Sequence, residues 1–530
     1  MAALALAAGS HLALPAASAT AEKSGTPPGP DRVAPITVDY TAYTWWLATW
    51  NDNSVECSLK VDHEGLPTPG EIYADCGESI YLEYQDQPPC FAGSRPGKCE
   101  GYYLYLVDTQ ASQREITVKL PPPEVWLSLE GCSPVSRAAT SICEQVPVVV
   151  LQAREPLPNE EILRIEGTVN GTAFNCDPTC KLELQATDDD GAKLEFWAWS
   201  SYGDSSPVFK AQVRVATAED ANPDQSSWYV DVLSSQWQGV RNASCSDTWE
   251  ALPPVGGPPP WLSSPKDESE LTSDIPYNYL AANLILQGAV NASSCPDGGL
   301  LPDGGANACG QEAARDAVDQ WQNQFDGLIF SASEKTGVPA QLLKNLFARE
   351  SQFWPGVFRA STDAGLGQLT ENGADTTLLW NPSFYGGFCP LVLPEERCSE
   401  RYVSLETDEQ LALRQALVAS VNATCDDCAL GIDLSRANFS VDVFAHTLLA
   451  NCEQTAQVIW NTVGQAPNSV ASYEDLWRMT LVNYNAGPGC LSLTLNEAWT
   501  EEQALTWDVL SNHFTEVCAS ARDYVNDISR

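Results

Sequence analysis

Basic side chains are scarce in this chain of 530 residues. Lysine and arginine together number 28 against 70 aspartates and glutamates, which gives a formal net charge of −42. Charged residues make up 18% of the sequence, below the roughly 25% of an average protein, so the chain is poor in bases rather than loaded with acids. Because nucleic acids and anionic membranes are bound through clusters of Lys and Arg, we expect neither as a partner.

Histidines and long apolar runs are also few. Four isolated histidines offer little for a zinc site, and we expect neither a metal nor a cofactor. No segment of the mature chain has the roughly 18 continuous apolar residues of a membrane-spanning helix, so no membrane span is predicted. Residues 1–21 are small and apolar and end in an Ala17-x-Ala19 pattern, which indicates a signal peptide and a secreted, extracytoplasmic protein. The basic residues that usually precede the apolar run are missing, and a flexible Ala-rich tail is the alternative.

Cysteine, by contrast, is plentiful. Eighteen cysteines, an even number behind an exported-looking start, predict disulfide bonds rather than metal ligands. Cys425 and Cys428 form a CxxC pattern whose flanking acids oppose redox activation, so a structural disulfide is expected there. Connectivity is not fixed by sequence, but four local pairings are plausible: Cys57/Cys76, Cys90/Cys99, Cys132/Cys143 and Cys176/Cys180.

The hydrophobic pattern divides the chain into a β part and a helical part. Alternating β-branched and aromatic residues predict an N-terminal all-β region with two sandwich modules of immunoglobulin-like type, at 32–122 and 123–217. Residues 218–310 lose regular patterning and are rich in Pro and Gly, which predicts a linker with irregular, disulfide-bearing segments. Helical periodicity begins at Gln311, so 311–530 is predicted to be a mainly α domain.

Glu350 lies on what should be the buried face of an amphipathic helix. Leu346 and Phe347 precede it by four and three residues, and the apolar spacing continues to Phe353 and Trp354. A carboxyl group held against apolar side chains should have a raised pKa, as a general acid near neutral pH requires. A structural glutamate at a helix crossing is the alternative.

Three short segments with candidate functional residues begin at Glu350 and follow one another in the helical part of the chain. Glu350-Ser-x-Phe353 is followed by Gly365-Leu-Gly-Gln368, and later by Asn483-Tyr-Asn-Ala-Gly487. The three blocks resemble those of the soluble lytic transglycosylase (SLT) domain, a member of the lysozyme-like superfamily in glycoside hydrolase family 23. The resemblance covers about residues 325–500 and implies a lysozyme-like catalytic domain that acts on peptidoglycan glycan strands.

The resemblance also implies roles for single residues. Glu350 matches the one catalytic carboxyl, which protonates the bond between N-acetylmuramic acid and N-acetylglucosamine. It then takes the proton of the muramoyl C6 hydroxyl, so that a 1,6-anhydro sugar forms without water. Ser351, Gln368, Tyr484 and Asn485 match the substrate-binding and positioning residues of the family.

This sequence departs from the family pattern in three places. Gly367 replaces the usual methionine, which predicts a gap beside the sugar. The usual helix between the second and third blocks is not recognisable, and 441–460 is the expected substitute. An insertion over 385–440 has no family counterpart.

Two other functions remain open from the sequence. A goose-type, lysozyme-like hydrolase would need a second acid to activate water, and Asp363 is the nearest candidate, although its loop position is typical of a turn former. A non-catalytic cell-wall-binding or adhesion protein would use the β modules and keep the helical domain as a relic.

Overall fold

The computed structural model describes residues 27, 29–86, 101–134, 140–217, 227–239, 244–356, 363–500 and 504–530. The predicted signal peptide and the Cys90/Cys99 pair lie outside these residues. The chain divides into two compact units, one of Met1–Pro122 with Pro156–Pro158 and one of Pro123–Glu155 with Asn159–Arg530. Strands dominate the N-terminal part and helices the C-terminal part, which confirms the predicted order of the two classes of structure.

The secondary-structure elements of the described residues are numbered here in chain order. The strands are β1 Val33–Thr49, β2 Val55–Val61, β3 Tyr102–Lys119, β4 Glu124–Pro134, β5 Ser141–Arg154, β6 Ile162–Val169, β7 Thr172–Cys176, β8 Thr179–Glu183, β9 Ala192–Ser200, β10 Phe209–Thr217 and β11 Trp228–Leu233. The α-helices are α1 Pro69–Cys76, α2 Glu78–Gln85, α3 Ser244–Trp249, α4 Asn278–Leu286, α5 Ala308–Asn323, α6 Asp326–Thr336, α7 Ala340–Ser351, α8 Glu371–Trp380, α9 Pro382–Phe388, α10 Glu395–Cys398, α11 Thr407–Val421, α12 Leu434–Val463, α13 Pro467–Val470, α14 Tyr473–Ala498, α15 Trp507–Ser511 and α16 Ala519–Ile528.

The first unit contains an antiparallel three-stranded sheet in the order β2-β1-β3. Leu47 and Leu59 are buried on one face of this sheet together with Ile72 of α1. The two-sheet sandwich predicted for 32–122 is therefore wrong for the described residues, since helices take the place of a second sheet. The physical reason lies in Thr68 and Glu71, which form a capping box and begin a helix at Pro69 and Gly70, two residue types that are common in turns.

The second unit begins with an eight-stranded sheet. Its strands follow the order β4-β5-β11-β10-β9-β6-β7, and β8 pairs with β5. Alternating side chains of these strands form a core that includes Val149, Leu151, Phe196 and Val213. The last strand, β11, lies beyond residue 217, so this sheet takes up a segment that the sequence pattern assigned to the linker.

The helical part of the second unit has one continuous core. The 30-residue helix α12 packs against α14 and α8, and its inward side chains are buried. Trp249, Trp261 and Leu280, which lie in the predicted linker, are fully or almost fully buried in the same core. These apolar residues are spaced irregularly between prolines and glycines, so no periodicity announced their burial.

Disulfide bonds join many of these elements. Three predicted local pairs are confirmed, Cys57–Cys76, Cys132–Cys143 and Cys176–Cys180, and so is the structural disulfide Cys425–Cys428. The other four among the described residues are Cys245–Cys452, Cys295–Cys309, Cys389–Cys398 and Cys490–Cys518. Eight disulfides are compatible with an extracytoplasmic protein.

Among the described residues, no helix is both long enough and apolar enough to cross a membrane. No group of three or more His, Cys, Asp and Glu side chains in this part of the chain is placed to hold a metal ion.

Candidate functional site

Helix α7 carries Glu350 in its last turn. Leu342, Leu343, Leu346 and Phe347 bury the inner face of this helix completely. The helix ends at Ser351, three residues before the end that the apolar spacing suggested. Gln352 and Phe353 then adopt left-handed conformations, with φ of 50° and 64°, and this turn returns Phe353 to the core. Glu350 is thus held at the point where a rigid helix meets a constrained turn.

The surroundings of Glu350 favour its protonated form. Its side chain is half-buried, and burial raises the pKa of the carboxyl to about 7. A hydrogen bond from Tyr524 and the charge of Arg349 lower the pKa, while the charge of Asp363 raises it. A carboxyl that titrates near neutral pH is able to give a proton in one step and take it back in the next.

Tyr524 is a site residue that the sequence did not predict. It lies on α16, and its Oη donates a hydrogen bond of 2.5 Å to Oε1 of Glu350. The next contact along the same helix is an ion pair between Asp527 and Arg349, whose guanidinium also lies 5.5 Å from the centre of the Tyr524 ring. Ala521, Tyr524 and Val525 recur at helical spacing, which predicts a buried helical face. The hydroxyl of Tyr524 on that apolar face was the one feature of the sequence that could have indicated a functional role.

Replacing Tyr524 with phenylalanine is expected to raise the pKa of Glu350 further. The hydroxyl stabilises the charged carboxylate, so its loss raises this pKa by about one unit. The measurement is the titration of the Glu350 carboxyl by infrared difference spectroscopy between pH 5 and about 9.

A matched control for this prediction is Tyr402→Phe. Tyr402 Oη also donates to a carboxylate, Oδ1 of Asp375 at 2.7 Å, in the same helical core. Its removal is expected to leave the pKa of Glu350 unchanged. A Glu350 pKa that does not rise in Tyr524→Phe, or that rises equally in both variants, contradicts the role of Tyr524 in stabilising the carboxylate.

Ser351 and Gln368 stabilise the loop 365–368 through hydrogen bonds to its backbone. Ser351 Oγ donates to the backbone oxygen of Leu366 at 2.6 Å. Gln368 has a left-handed φ of 53°, and its Nε2 donates to the oxygen of Gly365 at 2.8 Å. The structure thus connects the first two sequence blocks through side chain to backbone hydrogen bonds.

The gap expected at Gly367 is absent. A Cβ atom added to Gly367 would lie only 2.5 Å from Cδ1 of Phe444, so the phenyl ring fills the space that a larger residue would need. Phe444 belongs to α12, the helix that occupies the expected position 441–460. Val421, which belongs to the insertion over 385–440, contributes to this packing as well. Its Cβ lies 3.1 Å from the place of a Cβ atom added to Gly365. Both glycines are therefore required by close packing.

The third block lies in α14. Tyr484 Oη donates to the backbone oxygen of Gly367 at 2.6 Å, so the third block holds the second. Burial and then the charge of Glu350 raise the pKa of Tyr484 well above its usual range, which keeps its hydroxyl protonated. Asn485 is exposed on the helix, whereas the buried neighbour Asn483 donates to Oδ1 of Asn451 at 2.9 Å. Gly487, with φ of 78°, breaks the helix after this block.

A cavity of about 270 Å³ lies beside Glu350. Part of its wall comes from the end of α7 and the turn that follows it. The other part comes from residues of 278–305, which precede the three sequence blocks in the chain. Gln352 connects the two parts, since its Oε1 accepts hydrogen bonds from the backbone N–H groups of Tyr279 and Leu280 at 2.8 and 3.2 Å. The lining residues are Asn278, Tyr279, Asp303, Gly305, Arg349, Glu350, Ser351 and Gln352.

The loop that carries Asp303 is fixed locally. The disulfide Cys295–Cys309 closes it, and the backbone N–H of Leu301 donates to the oxygen of Gly305 at 2.7 Å. Asp303 itself accepts a hydrogen bond from the backbone N–H of Gly305 at 3.0 Å. No periodicity in this Pro- and Gly-rich segment predicts a position beside Glu350, because that position depends on tertiary packing.

The arrangement brings together one carboxyl that titrates near neutral pH, two protonated tyrosine hydroxyls and a polar cavity. This chemistry suits proton transfer to and from a substrate oxygen. Of the predicted site residues, Ser351, Gln368 and Tyr484 donate hydrogen bonds to backbone oxygens of the loop 365–368. Glu350 precedes Ser351 on α7, and Asn485 is exposed beside Tyr484 on α14. A scan against protein-family models, a search of curated proteins and a search of solved structures found no match to this chain.

Proposed function

We propose that the protein is a secreted peptidoglycan lytic transglycosylase. Its substrate is the glycan strand, cleaved at the β-1,4 bond between N-acetylmuramic acid and N-acetylglucosamine. The observation that carries the proposal is Glu350, a single carboxyl with a pKa near 7 that accepts a hydrogen bond from Tyr524 beside an open cavity. The sequence resemblance supports the same reaction and the same residue.

In the proposed mechanism Glu350 acts first as acid and then as base. Its carboxyl proton passes to the glycosidic oxygen as the bond to the muramoyl C1 breaks. The carboxylate then accepts the proton of the C6 hydroxyl, whose oxygen forms a bond to C1 and gives the 1,6-anhydro ring. One carboxyl is sufficient because the nucleophile belongs to the substrate and is already positioned. The hydrogen bond from Tyr524 stabilises the carboxylate between the two steps.

The finer fold assignments are part of this proposal. The helical region would be a lysozyme-like domain, in which α7, the loop 365–368 and α14 form the catalytic face. The eight-stranded sheet would be an immunoglobulin-like arm that acts as a spacer. Both assignments follow from the motif order and the strand pattern of the sequence.

Mass spectrometry of the soluble products from purified peptidoglycan tests the reaction. We expect muropeptides that end in an anhydro sugar and are one water lighter than lysozyme products. Digestion in H₂¹⁸O sharpens the test, since an intramolecular attack by C6 incorporates no ¹⁸O. Products that carry ¹⁸O at C1 would overturn the transglycosylase assignment.

Hydrolysis is the second candidate, and the position of Asp303 favours it. A second acid near the catalytic carboxyl is needed to activate water, and both Asp303 in the cavity wall and Asp363 are available. Under this reading ¹⁸O appears at C1, and Asp303→Asn or Asp363→Asn abolishes the reaction as Glu350→Gln does. If the wild-type chain releases no product yet sediments with peptidoglycan, the non-catalytic wall-binding reading is favoured instead.

A further inference from the structure

The outer face of the first sheet carries a cluster of aromatic side chains, which we name the aromatic platform: Trp46, Trp50, Tyr103 and Tyr105. Trp46 on β1 pairs directly with Tyr105 on β3. Tyr103 precedes Tyr105 by two residues and therefore shares its face of the sheet. Trp50 follows β1 in the turn, and its ring centroid lies 4.4 Å from that of Tyr103. The four rings thus form one contiguous surface.

The aromatic platform is open to solvent. Trp46, Trp50 and Tyr105 are 39, 42 and 57% exposed, whereas Leu47 and Leu59 on the opposite face are completely buried. Core packing explains the buried leucines but not the exposed rings. Contiguous exposed apolar surface on a folded domain marks an interaction site.

We propose that the aromatic platform binds a polysaccharide strand. Sugar rings have apolar C–H faces that stack on indole and phenol rings, and hydroxyl groups that need polar neighbours. The platform offers both, because Tyr103 Oη donates to Oδ1 of Asn53 at 3.0 Å at its edge. In the same turn Asp52 accepts a hydrogen bond from the backbone N–H of Ser54 at 3.0 Å. Polar groups therefore lie at one edge of the platform, beside Trp50 and Tyr103, within reach of the hydroxyl groups of a stacked sugar.

The net negative charge of this unit disfavours nucleic acids and anionic lipid surfaces as ligands of the platform. Between residues 27 and 122 the sequence has 14 acidic and 6 basic residues. Nucleic acids and anionic lipid surfaces require positive charge for binding, and this unit carries the opposite sign. Stacking on a sugar needs no charge. This inference is independent of the reaction proposed for Glu350.

Co-sedimentation of the full chain with purified peptidoglycan and with chitin tests the proposal. The parent protein carries Glu350→Gln so that the polymer stays intact, and Trp46→Ala with Tyr105→Ala is added to it. We expect the apparent Kd for both polymers to rise by about tenfold or more in the platform variant. Trp460→Ala is the matched control, since Trp460 is 53% exposed on α12 outside the platform, and its loss should leave both values unchanged.

Three results would overturn the proposal. The first is an unchanged Kd in the platform variant whose near-UV circular dichroism and Tm match those of the parent. The second is a parent protein that sediments with neither polymer. The third is loss of binding to vesicles of phosphatidylcholine and phosphatidylglycerol, rather than to polysaccharide, in the platform variant. Product analysis of the wild-type chain is a separate readout, so a failed platform and a failed catalytic assignment are distinguishable.

Discussion

Glu350→Gln is expected to lower the rate of product release from peptidoglycan by about 10²- to 10⁴-fold, the contribution typical of general acid–base catalysis. The amide keeps the size of the carboxyl and accepts the hydrogen bond from Tyr524, but it has no proton to give at neutral pH. Since the same group serves both proton transfers in the proposed mechanism, no second residue should compensate. The measurement is the initial rate of soluble muropeptide release.

Glu334→Gln is the matched control for this experiment. Glu334 is an exposed glutamate on α6, so the same loss of charge should leave the rate within about a factor of two, as for surface substitutions in general. Full activity in Glu350→Gln would remove this residue from the reaction. Equal losses in both variants would point to a general effect of charge instead.

Lys344→Met is expected to destabilise the helical part of the protein by about 3–5 kcal/mol. Lys344 lies on α7, two turns before Glu350, and is only 1% exposed. Its Nζ lies 2.5 Å from Oδ1 of Asp326 and donates to Oδ1 of Asn323 at 3.1 Å. Burial raises the pKa of Asp326 and lowers the pKa of Lys344, so each charge depends on its partner. Without the ammonium group, Asp326 is left buried and uncompensated.

The measurement is hydrogen exchange of peptides from α6 and α7 as a function of urea concentration. It reports the stability of these helices separately from that of the two sheets. The double variant Lys344→Met with Asp326→Leu should recover most of the loss, because two apolar side chains replace the buried pair. Arg315→Met breaks the exposed pair with Glu312 on α5 and should cost less than about 1 kcal/mol. A small effect of Lys344→Met alone would contradict this prediction, because it would show that solvent stabilises the Asp326 carboxylate when the ammonium group is lost.

Local patterns in the sequence were sufficient to find part of the site. Glu350, Gln368 and Tyr484 belong to short blocks whose chemistry is visible within a few residues. The structure connects these blocks through hydrogen bonds to Leu366, Gly365 and Gly367. The buried face of α7 was also predictable, because its leucines recur at helical spacing. The β-to-α order of the chain followed from the change in periodicity.

Other features depend on contacts that no local pattern encodes. Tyr524 meets Glu350 across 174 residues of sequence, and Asp303 reaches the cavity from a segment without periodicity. The left-handed conformations of Gln352 and Phe353 are imposed by tertiary packing, since neither residue type favours them. In the first unit, the capping box of Thr68 outweighed a turn-like Pro and Gly composition, which is why the sandwich prediction failed.

The disulfide bond between Cys490 and Cys518 connects the formation of the Glu350 site to the redox state of the compartment that holds the chain. It joins α14, six residues after Tyr484, to the start of α16, six residues before Tyr524, across 28 residues of sequence. In a reducing compartment a newly made chain lacks this bond, and α16, whose Tyr524 donates a hydrogen bond to Glu350, is then held against α14 only by noncovalent contacts. Oxidation forms the bond and joins the two helices. If the chain is secreted as we propose, the cell that makes it would be spared the proposed activity until the chain has left the cytoplasm.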